Sequence, residues 1–154
     1  MHYAQAAKLS GRSLASGAAG ALALTALHEV GRRRVTYAPR MDIVAMRGLR
    51  RMLPRRGWEM DDARLHQLAL IGDLVSNSVY YSAIAGPTSK ATWTRATVLG
   101  TAAGLGALLI PESLGLGAPP YSDRRANQLM TIAWYVAGAL TAAAVANLTR
   151  NRRP

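Results

Sequence analysis

An all-α, polytopic membrane protein is the fold class this sequence predicts: four transmembrane helices, plus one amphipathic interfacial helix between the first two spans. Three observations predict it. Charged residues leave long gaps along the chain, the apolar half of the composition is built largely from small side chains, and arginine collects in the connection between the first two gaps.

The 154 residues are one domain's worth, 50% of them hydrophobic, with 14 glycines and no phenylalanine. Alanine gains little by leaving water, so a core of this kind holds a soluble protein together poorly. Between helices in lipid the same small residues let backbones approach and pack. An alanine-rich soluble bundle is the alternative. The chain has no cysteine, which removes disulfides, thiolate metal sites and a cysteine nucleophile.

The first run, residues 13–27 (SLASGAAGALALTAL), is free of charge and predicts a span over roughly 12–31, with Arg12 snorkelling at its start. A cleaved signal peptide is the competing reading, and the Arg32, Arg33, Arg34 cluster that follows opposes it because such a cluster resists translocation. Ser13, Gly17 and Ala21 repeat every fourth residue, with Ser16 and Gly20 beside them, so one helix face is smooth.

After Pro39 comes RMDIVAMRGLRRMLPRR, residues 40–56. At helical spacing Arg40, Arg47, Arg51 and Arg55 share one side, and Met41, Ala45, Met46, Leu49, Met52 and Leu53 lie opposite. This predicts an interfacial helix over roughly 39–53, ended by Pro54, whose four arginines meet lipid phosphates. No aromatic residues interleave with these arginines and no groove-reading motif is present, so nucleic acid is not expected as a partner.

Residues 67–89 carry a single charge, Asp73, and predict the second span over roughly 63–86. A carboxylate in midspan costs about 2.5–3.5 kcal/mol on an insertion scale, so it is expected to face protein or water and to have company. His66, Asp73, Asn77 and Tyr80 are spaced seven, four and three apart, which puts them on one side of the helix. His28 and Glu29 close the first span, and antiparallel packing brings them level with His66. Asp42 projects to the same neighbourhood from the apolar side of the interfacial helix, unless it serves only to stabilise that helix's first turn. The expected polar cluster is therefore His28, Glu29, Asp42, His66, Asp73, Asn77 and Tyr80.

Residues 96–111 (ATVLGTAAGLGALLIP) are uncharged and predict a third span over roughly 93–110, anchored by Trp93 and Arg95, with Gly100 and Gly104 as a second smooth strip. Pro111, Pro119 and Pro120 are assigned to the connection that follows. Residues 126–149 are 24 positions without charge and predict the fourth span, roughly 127–148.

Topology follows from basic residues. The connections between spans one and two and between three and four hold 12 of the 19, which places both in the cytoplasm and both termini outside, with a bacterial inner membrane as the expected setting.

Two functional classes compete. The first, preferred here, is a non-catalytic bundle that binds lipid or serves as an accessory or scaffold protein; its expected partners are anionic membrane lipids, a second copy, or a larger membrane complex. The second is a proton or ion path, or a metal-dependent intramembrane protein, built on Asp73 and the His28, Glu29, His66 cluster. A metal would use Asp62 and His66, four apart, with His28 opposite. After His28 and Glu29 the position of a zincin's second histidine holds Arg32. Bis-histidine haem ligation by His28 and His66 is the other cofactor weighed, and none is predicted. Neither a serine elbow nor a phosphate-binding loop is present, so no enzymatic reaction is assigned.

Overall fold

The computed structural model describes residues 2–53 and 60–151, with side chains described for residues 11–53 and 60–150. Five helices make up the architecture: α1 (His2–Arg34), α2 (Met41–Met52), α3 (Asp62–Ser82), α4 (Ser89–Ser113) and α5 (Arg125–Asn151). No strand occurs among the described residues. The all-α class is as predicted.

Local signals set the ends. Asp61 caps α3 by accepting from the Arg64 amide at 2.7 Å, and Thr88 caps α4 through the Ala91 amide at 3.1 Å. Three arginines fill the last turn of α1, where cations meet the negative end of the helix dipole. Pro111 was assigned to a connection; it lies instead inside the last turns of α4, which runs on to Ser113. Lacking an N–H, Pro111 donates nothing to the helical ladder, and its own carbonyl accepts from the Leu116 amide at 2.9 Å.

The four long helices pack in the spatial order α3, α1, α5, α4, and α2 lies across α3 at one end. Glycine permits the close contacts. An added Cβ at Gly20 would stand 2.6 Å from the Gly138 carbonyl oxygen on α5, and one at Gly100 or Gly104 on α4 would come within 3 Å of α5 backbone or side-chain atoms. The smooth strips are thus the α1–α5 and α4–α5 contacts, and Gly17 serves α1–α3 in the same way against Ser78 and Ser82. The core is small-residue packing around a few large side chains: Ala21, Leu24, Ala139, Ala142 and Ala143 surround Tyr81, all fully buried.

At one end, α2 is tied to the α4–α5 connection. Arg47 donates to the carbonyls of Leu116 and Ala118 at 3.2 and 3.1 Å, and Arg51 donates to that of Leu114 at 2.6 Å. Gly115 and Gly117 have φ of +69° and +76°, a left-handed backbone that L side chains rarely adopt, and their missing Cβ atoms leave room for the two guanidiniums. Tyr37 meets Tyr121 edge-on at 5.3 Å, and Arg124 lies 4.0 Å over the Tyr37 ring. The two connections expected on one side do lie together. At the opposite end Arg95 and Arg150 hold the turn between α3 and α4, donating to Ala85 and Gly86 carbonyls at 3.1 and 3.3 Å.

The expectation of four spans needs correction. Two helices, α4 and α5, are long and apolar enough to cross a membrane by length and composition. The other two fall short for a physical reason: α1 is diluted by glycine, serine and alanine and α3 by Asp73, Asn77 and several hydroxyls, all of which lower the transfer energy of an 18-residue stretch.

Candidate functional site

Where α1 leaves the bundle, α2 turns across α3, and the three helices enclose a cavity of about 30 Å3. Its polar lining comprises Thr25 and His28 from α1, Asp42 from α2, and His66 and Asp73 from α3, with Glu29 and Arg32 at the edge. Met41, Ala45 and Ala69 supply apolar wall. Five of the seven residues expected to cluster, His28, Glu29, Asp42, His66 and Asp73, therefore line one cavity.

Each is held by its own neighbours. His28 stacks edge-on against Trp134 at 5.2 Å and Tyr135 at 5.8 Å, both from α5, which fixes the ring while its Nε2 stays buried with no hydrogen-bond partner. The Thr25 hydroxyl, one turn earlier, is likewise buried without a partner. Asp73 accepts from the Asn77 amide nitrogen at 2.8 Å through Oδ1 alone. Asp42 takes both oxygens to Arg40, at 2.9 and 2.8 Å, and stands 3.7 Å from His66 Nδ1.

Other expected members are bonded to neighbours of their own. Glu29 turns outward to Arg32 and Arg33, at 2.6 and 2.7 Å. Asn77 spends its side chain on Asp73, and Tyr80 donates across to the Leu99 carbonyl on α4 at 3.0 Å, so the polar line down α3 does not continue as a connected path. Asn127 and Gln128 bond back to Tyr121 and Ser122. Asp62 pairs with Arg50 at 2.6 Å, away from His28, and among the described residues no three His, Asp or Glu side chains gather as a metal site.

A second, open groove adjoins the cavity. About 570 Å3 in volume, it is lined by Arg32, Arg40, Arg47 and Arg50, with Ile43 and Met46 as apolar floor. Arg32, Asp42 and His66 line both spaces, so the Asp42–His66 pair is the partition between them. Of the four arginines assigned to lipid headgroups, Arg40 and Arg47 reach this groove, Arg51 is turned to the Leu114 carbonyl, and Arg55 lies outside the described residues. Thr25, Arg32 and Arg50 were missed as site residues. Thr25 was within reach, since it precedes His28 by three and so shares its face; Arg50 was not, because its partner Asp62 follows a connection of unknown course.

Burial alone would raise the Asp42 carboxyl, but the two hydrogen bonds from Arg40 and its positive charge outweigh that and hold the carboxyl below its usual range. A depressed carboxylate contributes stability that is complete above its unfolded value of about 3.9 and is lost as pH falls through the lower folded value. Asp42→Asn is accordingly expected to cost about 1.5–3 kcal/mol at neutral pH, the worth of hydrogen bonds to a charged group. Unfolding measured at pH 7 and then at steps below about 3.9 checks it: the gap between wild type and variant should narrow as the pH falls.

No protein family, curated protein or solved structure matches this chain.

Proposed function

We propose that the chain is a small integral membrane bundle that holds an anionic phosphate-bearing lipid headgroup in the basic groove at the α2 end. The groove carries this reading: four guanidiniums and an apolar floor, opening beside the bundle's outer surface, suit a phosphodiester whose acyl chains lie along the helices. Glu29, Asp42 and Asp62 hold Arg32, Arg40 and Arg50 in place, and Arg47 is held by two backbone carbonyls, which leaves its charge without a carboxylate among the described residues.

On this reading α4 and α5 cross the bilayer, and α1 and α3 pack alongside them with apolar side chains turned outward. Ile71, Val75 and Val79 on α3 are each more than half exposed, four residues apart, and Leu14 and Leu22 on α1 are exposed likewise. Large side chains outside and alanine inside is the reverse of what water selects. Leu109, Leu129 and Leu148 give α4 and α5 the same apolar exterior. The arginine-rich α2 end would face the cytoplasm.

Native mass spectrometry from nanodiscs tests the groove. Wild type released from mixed phosphatidylglycerol and phosphatidylcholine should retain an anionic lipid, and the double variant Arg32→Gln, Arg50→Gln should retain it about thirtyfold less well, at about 1 kcal/mol per basic residue. Both side chains make exposed ion pairs, worth about 0–1 kcal/mol, so stability should barely change. Equal retention by wild type and variant, or no preference for the anionic lipid, would refute the assignment.

A further inference from the structure

The groove leaves the cavity behind it unexplained. Two buried polar atoms, Thr25 Oγ1 and His28 Nε2, lack partners there, and a buried polar group without one costs about 1–3 kcal/mol. Asp73 lines the same space, and its side-chain partner among the described residues is Asn77, through Oδ1. The cavity's 30 Å3 exceeds the roughly 10–15 Å3 that one water needs, and a site offering two to four polar partners is the kind that water occupies.

We propose that this cavity is a hydrated proton site, in which one or two waters join Thr25 Oγ1, His28 Nε2 and Asp73, and through which Asp73 exchanges protons with the aqueous face that carries α2. Access is one-sided. Toward α2, Asp42 and His66 line both cavity and groove, 3.7 Å apart and so beyond direct hydrogen-bond reach, and a proton passes between them and the groove along bridging water while Asp42 stays held by Arg40. Toward the other end, Asn77 is closed on Asp73, Ser76 on the Asp73 carbonyl, and Tyr80 on Leu99, so the relay stops. The site is a proton-binding dead end reached from one side, a sensor or reservoir rather than a channel.

The charged and titratable groups around Asp73 come from every packed helix: His28, Glu29 and Arg32 from α1, Asp42 with Arg40 clamped to it from α2, His66 and Tyr81 from α3, and Tyr135 from α5. Glu29 and Arg32 satisfy one another, and Arg40 satisfies Asp42. Among the described residues, Asp73 is left as the carboxyl lining the cavity without an ion pair.

Infrared difference spectroscopy of the full chain in phosphatidylcholine nanodiscs tests this without any anionic lipid, so failure of the groove assignment would not affect the outcome. Subtracting the Asp73→Asn spectrum isolates one carboxyl. Its protonated C=O band is expected to appear and vanish as bulk pH is stepped, to shift on transfer to D2O, and to shift in frequency in Thr25→Val, which deletes a hydroxyl but keeps the side chain's shape. His66→Leu should slow the D2O shift. A band indifferent to bulk pH and to D2O would overturn the proposal. So would a frequency unmoved in both Thr25→Val and His28→Asn, two variants that keep the reading available should Asp73→Asn fail to fold.

Discussion

Gly20→Leu is expected to abolish the folded bundle, and Gly20→Ala to destabilise it by about 2 kcal/mol. At this position α1 and α5 touch through backbone: the missing Cβ would lie 2.6 Å from the Gly138 carbonyl oxygen and 2.8 Å from Ala142 Cβ, and the reciprocal Cβ on Gly138 would lie 3.0 Å from the Gly20 carbonyl oxygen. Tyr81 fills the angle between them, 3.0 Å from the added atom. Nothing on that list is the free end of a flexible chain. One methyl group must therefore push the helices apart, at about 1–3 kcal/mol for overpacking, partly offset by up to about 1 kcal/mol of better helix propensity. Leucine adds three more carbons to the same space and has no rotamer that avoids α5. Gly72→Ala is the control. It too is a helical glycine, but an added Cβ meets nothing within 4 Å, so propensity alone acts and the variant should be neutral or more stable by up to about 1 kcal/mol. Reversible unfolding in mixed micelles, read by the three tryptophans, separates the two cases. Equal effects at Gly20 and Gly72 would mean that α1 and α5 do not meet through these glycines.

Gly20 also shows what a sequence can and cannot disclose. Its place on a smooth strip with Ser13, Gly17 and Ala21 was visible from spacing, because a helical face is set by the 3.6-residue period alone. Which helix the strip meets was not, and the strip in fact divides: Gly17 faces α3 while Gly20 faces α5. Helix positions were legible for a related reason, since gaps between charges are local, whereas spans were overcounted by composition in α1 and α3. The cluster behaves likewise. Asp73 was expected to turn inward because acyl tails offer it nothing, and it does line the cavity with His28, Asp42 and His66. Asn77 and Tyr80 were assigned to that cluster on helical spacing, but the one is spent on Asp73 and the other finds a carbonyl on α4. The arginines of α2 show the limit most clearly. Their shared face follows from the helical wheel, but the acceptors of Arg47 and Arg51 are carbonyls some 60–70 residues away, in a connection whose left-handed glycines could be placed only once the chain was folded.

Tyr81→Ala is expected to destabilise the bundle by about 3–5 kcal/mol, the usual range for removing a large aromatic from a core. Its side chain is fully buried and is the largest such group among the described residues. The surrounding alanines and glycines cannot close the void, because α1 and α5 are already in backbone contact beside it and have no slack to collapse further. Tyr81 has a second role. α3 and α5 barely touch as backbones, being separated by α1, and the Tyr81 hydroxyl spans the gap to the Tyr135 carbonyl at 2.8 Å. That bond also steadies the turn of α5 whose Trp134 and Tyr135 rings hold His28, so α3 and the cavity share a support. Tyr81→Phe keeps the volume and loses only the hydrogen bond, for about 1 kcal/mol, since the Tyr135 carbonyl retains its place in the helical ladder. The pair of variants thus divides packing from bonding. A loss under about 1 kcal/mol for Tyr81→Ala would mean that α3 is not seated through this ring, because a cavity of that size in a close-packed site has no inexpensive repair.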